Sequence, residues 1–97
     1  GDNYIKFANG LLIQWGVSNH GKYATVTSDI LLQIPFKDIE YRVQVTPSRN
    51  CQSCTGYWIG NAGGNNTKTA KNFQLTAKYN DSRYDKDWEW IAIGRWK

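Results

Sequence analysis

A chain of 97 residues is long enough for one domain and too short for two. No apolar run approaches the roughly 20 residues of a membrane-spanning helix, and no signal-peptide pattern opens the chain. The net charge is +4, but the excess Lys and Arg residues are interleaved with acids, which disfavours a nucleic-acid-binding protein. The chain has no methionine and begins with Gly1, so we expect a single domain that is a fragment of a longer protein.

The first third of the chain alternates short runs of β-forming residues with turn sequences. Strands are predicted over residues 4–7 and 11–17, joined at Asn9-Gly10, a dipeptide that favours hairpin turns. A third strand is predicted over residues 23–27. Residues 30–34 are too short for a helix before the next proline, so we expect them to be apolar chain that closes one end of the core.

Two later segments show the alternation of a half-buried antiparallel strand. Residues 39–46 form the first, which Pro47 is expected to end, and residues 73–79 form the second. The residues predicted to face the core are Ile39, Tyr41, Val43, Val45, Phe73, Leu75, Ala77 and Tyr79.

The last strand, residues 87–96, differs because both of its faces carry apolar side chains. Trp88, Trp90, Ala92, Gly94 and Trp96 share one face, whereas Glu89, Ile91, Ile93 and Arg95 share the other. This pattern predicts a central strand, or one whose second face another subunit covers. The small residues Ala92 and Gly94 indicate a close approach by another backbone.

Short strands with turns between them and no amphipathic helix predict an all-β fold. We expect a small antiparallel β-sandwich of about seven strands, since sandwiches show strands at this spacing.

Residues suited to catalysis or metal binding form no recognisable site. Cys51 and Cys54 are one pair where zinc requires four ligands, and no helix follows them as in redox pairs. We expect two loop thiols, free or joined in a small ring. His20 lies in a turn sequence, and the acidic residues of 81–89 crowd one polar stretch instead of facing each other across a substrate. We therefore predict no enzyme, no catalytic residue, no cofactor and no metal.

The polar loops are rich in Asn, Gly, Tyr and Trp, a composition suited to recognition on a rigid β scaffold. Aromatic rings can cover the apolar face of a sugar while Asn and Arg side chains bind its hydroxyl groups. We expect contacts from the loops 18–22, 48–57, 60–72 and 80–86. The candidate receptor-binding residues are Tyr57, Asn61, Asn65, Asn66, Arg83, Tyr84 and Lys86.

Several segments, in order along the chain, resemble the C-terminal domain of Gp53-like bacteriophage tail-fibre proteins. Residues 4–16 read YIKFANGLLIQWG, residues 34–37 read IPFK and residues 43–47 read VQVTP. Residues 73–75 read FQL, and the most specific match, residues 90–96, reads WIAIGRW. The asparagine-rich loop and the loop with the cysteines depart from the pattern. These loops are the places where a receptor-binding protein is expected to vary.

The resemblance implies a β-sandwich at the distal end of a fibre, encoded by a phage or prophage. It also implies a homotrimer that attaches the virion to a host-surface receptor, but the resemblance does not carry over the ligand. From the loop composition we expect a bacterial surface glycan, with a protein receptor as the alternative. From the charge pattern and the lack of a long apolar run we expect no nucleic acid and no membrane insertion. Two alternatives remain open: a purely structural trimeric fibre cap, and a carbohydrate-binding module of a secreted bacterial enzyme.

Overall fold

The protein is described by a computed structural model that covers residues 3–19, 25–49, 54–79 and 87–97. These residues form seven strands: β1 (Tyr4–Lys6), β2 (Leu11–Asn19), β3 (Thr25–Leu31), β4 (Arg42–Arg49), β5 (Cys54–Ile59), β6 (Asn72–Tyr79) and β7 (Asp87–Arg95). They make a four-stranded sheet in the order β1-β2-β7-β4 and a three-stranded sheet in the order β3-β6-β5. All pairs are antiparallel, so the predicted all-β fold of seven strands is confirmed.

The core lies between the two sheets. Leu12, Trp88, Trp90 and Ala92 reach it from the four-stranded sheet and meet Phe73 and its neighbours on β6. The ring of Phe73 packs edge-on against Trp90, with centroids 5.3 Å apart. Phe73, Leu75 and Ala77 are buried as predicted, because every second residue of β6 points at the opposite sheet.

The last strand occupies the centre of its sheet, between β2 and β4, as its two-faced pattern predicts. The prediction that another backbone approaches Gly94 closely is wrong, because the atoms that come close belong to side chains. A Cβ atom at Gly94 would lie 2.5 Å from Tyr41 Cβ and 2.8 Å from Phe36 Cδ1. Glycine therefore makes room for two stacked rings, whose centroids are 4.3 Å apart.

The β1–β2 hairpin and the end of β7 hold each other in place. Gly10 has φ +103°, which glycine adopts without strain, and its amide donates to Phe7 O at 3.0 Å. The amide of Trp96 donates to Gly10 O and its indole Nε1 donates to Phe7 O, both at 2.8 Å. The predicted turn at Asn9-Gly10 is thus tied to the C-terminal residues.

Several predicted boundaries are wrong: β2 extends to Asn19, and Cys54, predicted to lie in a loop, begins β5. β3 continues through Asp29 to Leu31, since Ile30 is buried opposite Phe73 and the Asn72 side chain donates to Asp29 Oδ1 at 2.6 Å. β4 begins only at Arg42, and Ile39, predicted to face the core, is 48% exposed. Pro47 lies within β4 instead of ending it, which is consistent with the edge position of β4, since proline within a sheet is tolerated mainly on edge strands.

The strand directions divide the connections between two ends of the sandwich. β2, β4 and β6 end where β3, β5 and β7 begin, as the pairs Asn19–Asp87 and Thr25–Lys78 show. We call this the crossover end. The β1–β2 hairpin, the β3–β4 and β5–β6 connections and the C-terminal residues lie at the opposite end, where Lys37 N donates to Arg95 O at 2.8 Å.

Candidate functional site

The outer face of the four-stranded sheet, turned away from the core, carries a continuous apolar area. Residues directly opposite each other in an antiparallel pair point to the same face. Ile5, Ile13 and Ile93 therefore form one row, and Trp15 and Ile91 form the next. We use the name outer apolar face for these five residues together with Leu11 and Val17.

This face is open to solvent in the single chain. Val17 is 64% exposed and Ile93 is 41% exposed, although both are β-branched residues that favour burial. Scattered exposed apolar residues are ordinary, but a contiguous apolar area on a sheet indicates a surface that binds another molecule.

The same sheet face becomes polar at its margins. β4 contributes Arg42, Gln44 and Thr46, which lie opposite residues 93, 91 and 89 of β7. Glu89 lies beside Val17, and Arg95 lies beside Leu11 at the other end. The apolar area thus spans β1, β2 and β7, and charged or polar side chains bound it on three sides.

The predicted contact residues of the β5–β6 connection differ in how far hydrogen bonds within the protein already occupy them. Asn61 closes a turn: its amide donates to Asn65 O, and its Oδ1 accepts from Asn65 N, both at 3.0 Å. Its backbone carbonyl also accepts from the indole of Trp58 at 2.8 Å. Asn65 and Asn66 are exposed, and the Asn65 side chain has no hydrogen-bond partner among the described residues. Asn65 is therefore free to bind a ligand, whereas Asn61 shapes the turn.

Tyr57 lies on β5, with its ring 4.6 Å from the ring of Trp88 at an angle of 56°. It is 45% exposed, so part of the ring rests on the core and part is open to solvent. This position is compatible with the stacking role that the sequence predicts for it.

Arg83, Tyr84 and Lys86 fall outside the described residues. They lie between β6 and β7, whose flanking ends are at the crossover end, whereas Asn61 lies at the opposite end. Among the described residues, the structure places Asn61, Asn65 and Asn66 in one connection and Tyr57 on β5.

A groove that the sequence does not reveal runs between β4 and the β5–β6 connection. It has a volume of about 410 Å³, and Arg42, Gln44, Ile59 and Lys68 line it. The ammonium of Lys68 donates to Tyr41 O at 2.6 Å and lies 4.8 Å from the centre of the Tyr41 ring. Arg42 and Gln44 are predicted to face outward, but no local pattern places Lys68 beside Tyr41, 27 residues earlier.

Tyr41 anchors this region. Its single hydroxyl hydrogen is shared between two carbonyl acceptors, Thr69 O at 2.8 Å and Asn72 O at 2.9 Å. Burial raises the pKa of Tyr41 well above its ordinary value, because the phenolate would lose its hydration. Tyr41 is thus a neutral donor that holds the β5–β6 connection against the core.

No group of three or more His, Cys, Asp or Glu side chains among the described residues is placed to hold a metal ion. The described part of the chain also contains no helix long and apolar enough to cross a membrane.

The fold and the outer apolar face define an antiparallel β-sandwich module with a surface suited to association. Residues 6–95 match the family model described as tail fiber protein gp53-like, C-terminal. The chain therefore belongs to this family, as the sequence motifs predict, and is a tail-fibre C-terminal domain.

A solved structure gives the same fold. It is the P. aeruginosa R1 pyocin fiber comprising C-terminal residues 323–701, with a TM-score of 0.57 and 15% sequence identity. The match covers 89% of this chain and 24% of the pyocin fiber chain, so this chain spans about a quarter of that structure. A search of curated proteins found no match.

Proposed function

We propose that this chain is the distal tail-fibre domain of a phage or prophage, where it attaches the particle to a receptor on the host surface. The receptor is a glycan, and the domain acts as a homotrimer without enzymatic activity. Membership of the tail-fibre family supports the placement, and the solved relative with the same fold is part of a fiber as well.

The main support for the proposed assembly is the outer apolar face. Burying a fully exposed aliphatic side chain contributes about 1.5–3 kcal/mol, and Ile5, Val17, Ile91 and Ile93, which are 36–64% exposed, would each contribute a corresponding part of that. The apolar area reaches across three strands and stops at β4. In a closed ring of three chains, the apolar strands would face the neighbours and polar β4 would remain in water.

Receptor contacts would come from exposed groups of the connecting loops. Tyr57 offers an aromatic surface to a sugar ring, while Asn65 and Asn66 offer amides to its hydroxyl groups. Asn61, Arg83, Tyr84 and Lys86 complete the proposed set. Asn61, Asn65 and Asn66 lie at the end of the sandwich opposite to the strand ends that flank residues 80–86, so we expect only one of the two groups to contribute strongly.

Light scattering on a sizing column tests the assembly. We expect a mass near three times 11.1 kDa for the wild-type chain. Val17→Lys and Ile93→Lys should each shift the chain toward monomer, because a charge cannot be buried in an apolar contact without a large cost. Thr46→Lys, on the polar margin of the same sheet face, is the matched control and should stay assembled.

Attachment is tested by binding the labelled chain to whole bacterial cells. A trimer that binds cells, and loses binding when loop residues change, is the expected outcome. A trimer that binds no bacterial surface would indicate a structural fibre cap. A wild-type monomer at high concentration would contradict assembly through the outer apolar face.

A further inference from the structure

We propose that the groove between β4 and the β5–β6 connection binds an anionic sugar, a carbohydrate unit that carries a carboxylate or a phosphate. This inference rests on the proposed attachment function and gives it a location and a ligand class.

The groove has the dimensions of a small-ligand site. Its volume of about 410 Å³ lies between the edge of one sheet and a loop of the other, so it opens at the side of the sandwich. Ligand pockets commonly measure about 300–1,000 Å³. The space therefore suits one or two sugar units and not an extended chain.

Two cations supply the charge that an anionic sugar requires. The Arg42 guanidinium has no partner among the described residues, so its planar set of donors is available for a carboxylate or phosphate. Lys68 is half-buried and uses one of its three N–H donors on Tyr41 O. Its remaining donors are held in place by that bond, which lowers the entropy lost on binding.

The other lining groups match a sugar and disfavour a simple anion. Val43 and Ile59, both partly buried, form an apolar wall for the less polar face of a sugar ring. Glu40 and Gln44 offer acceptors for hydroxyl groups. The Glu40 carboxylate would repel a small inorganic anion, so a ligand that carries both an acidic group and hydroxyl groups is favoured.

The strand beside the groove adds backbone groups to this set. Among the described strands, β4 pairs with β7 alone, so the N–H and C=O groups on its other edge have no ladder partner. Such an edge can hydrogen-bond hydroxyl groups of a ligand as readily as water.

Lys68 also has a structural role, because its bond to Tyr41 O fastens the loop. Arg42 has no comparable bond within the described residues. Loss of binding on changing Arg42, without loss of stability, would therefore separate ligand recognition from loop anchoring.

The test is a titration of the isotope-labelled chain, followed by the backbone amide signals in NMR spectra. The probes are glucuronate, glucose 1-phosphate and neutral glucose at millimolar concentration. We expect saturable shifts at residues 40–44 and 68 with at least one acidic sugar, and binding of glucose weaker by about tenfold or more, as for loss of a charge-assisted hydrogen bond.

The variants are Arg42→Gln alone and combined with Lys68→Gln. Arg42→Gln should weaken binding of the acidic sugar by about tenfold, and the double variant should weaken it further. Lys37→Gln combined with Lys71→Gln removes the same charge from exposed positions outside the groove lining and should bind as the wild type does. The melting temperature of each variant is measured alongside. If the double variant does not fold, the binding of Arg42→Gln alone tests whether the groove is the site.

The outcomes distinguish an acidic polysaccharide from a phosphorylated glycan, and they test the groove proposal separately from the attachment proposal. Binding of glucuronate alone indicates an acidic polysaccharide, and binding of glucose 1-phosphate alone indicates a phosphorylated glycan. Equal binding of glucose, shifts elsewhere in the chain, or an unaffected Arg42→Gln variant would overturn the groove as the site. Cell attachment that survives Arg42→Gln would refute the groove but leave the attachment function standing. A groove that binds acidic sugars in a chain that attaches to no cell would refute the attachment function alone.

Discussion

Gly94→Ala should destabilise the protein far more than a change of one methyl group normally does. The new Cβ would lie 2.5 Å from Tyr41 Cβ and 2.8 Å and 3.0 Å from two atoms of the Phe36 ring. These separations are well inside van der Waals contact. Tyr41 cannot swing aside, because its hydroxyl is held by Thr69 O and Asn72 O and its ring is stacked on Phe36.

The magnitude follows from overpacking. Forcing additional volume into a packed core costs typically about 1–3 kcal/mol. In a domain of 60–100 residues, each kcal/mol lowers the melting temperature by about 4–8 °C. The gain that alanine normally brings over glycine, about 0.4–1 kcal/mol through the unfolded chain, would offset only part of this loss.

Gly56→Ala is the matched control, because a Cβ atom at Gly56 would meet nothing within 4 Å. We expect this variant to be as stable as the wild type or slightly more stable. Urea unfolding followed by tryptophan fluorescence measures both variants, at one chain concentration because association shifts apparent stability. Equal midpoints for Gly94→Ala and Gly56→Ala would refute the packing argument.

Two further predictions concern buried polar groups. Because burial raises the pKa of Tyr41, the unfolded chain loses this proton near its ordinary pKa of 10.0 while the folded chain keeps it, so wild-type stability should fall as pH rises above that value. Tyr41→Phe should show a shallower fall in melting temperature across this alkaline range, and an equal slope would contradict the assignment. Gln14 is buried and its amide group pairs with both Ile34 O and Ile34 N, so Gln14→Leu should cost about 1–3 kcal/mol by leaving these groups unpaired. An unchanged urea midpoint for Gln14→Leu would show that water replaces these bonds.

Alternation and turn chemistry were sufficient to predict the strands, because each strand buries one face and local sequence records that burial. Strand ends were harder to predict. Asp29 is accommodated in β3 because the Asn72 side chain of the neighbouring strand β6 donates to it, and Pro47 is tolerated because β4 is at an edge. Both facts depend on which strand is the neighbour, and no short stretch of sequence contains that information.

The site was less predictable than the fold. Composition indicated polar loops, but it could not show at which end of the sandwich the β5–β6 connection with residues 61–66 lies. It also could not show that Lys68 folds back onto Tyr41, since a lysine in an asparagine-rich stretch looks like any solvated charge. The two-faced pattern of β7 was the exception. Ile91 and Ile93 on the second face of this strand predicted its central position and singled out the surface that the structure shows as apolar and exposed.

The outer apolar face has a consequence for how the protein is made. If the chain assembles as proposed, a newly folded copy exposes Trp15, Val17 and Ile93 to water until it meets other copies, and exposed apolar sheets of this kind promote aggregation. Correct assembly and aggregation both become faster at higher chain concentration. Tethering the chains together raises only the local concentration of the copies that assemble. The yield of properly assembled protein on expression should therefore improve when each chain is fused to a helix that forms a trimeric coiled coil. Expressing the chain without the coiled coil at a lower temperature should improve the yield less.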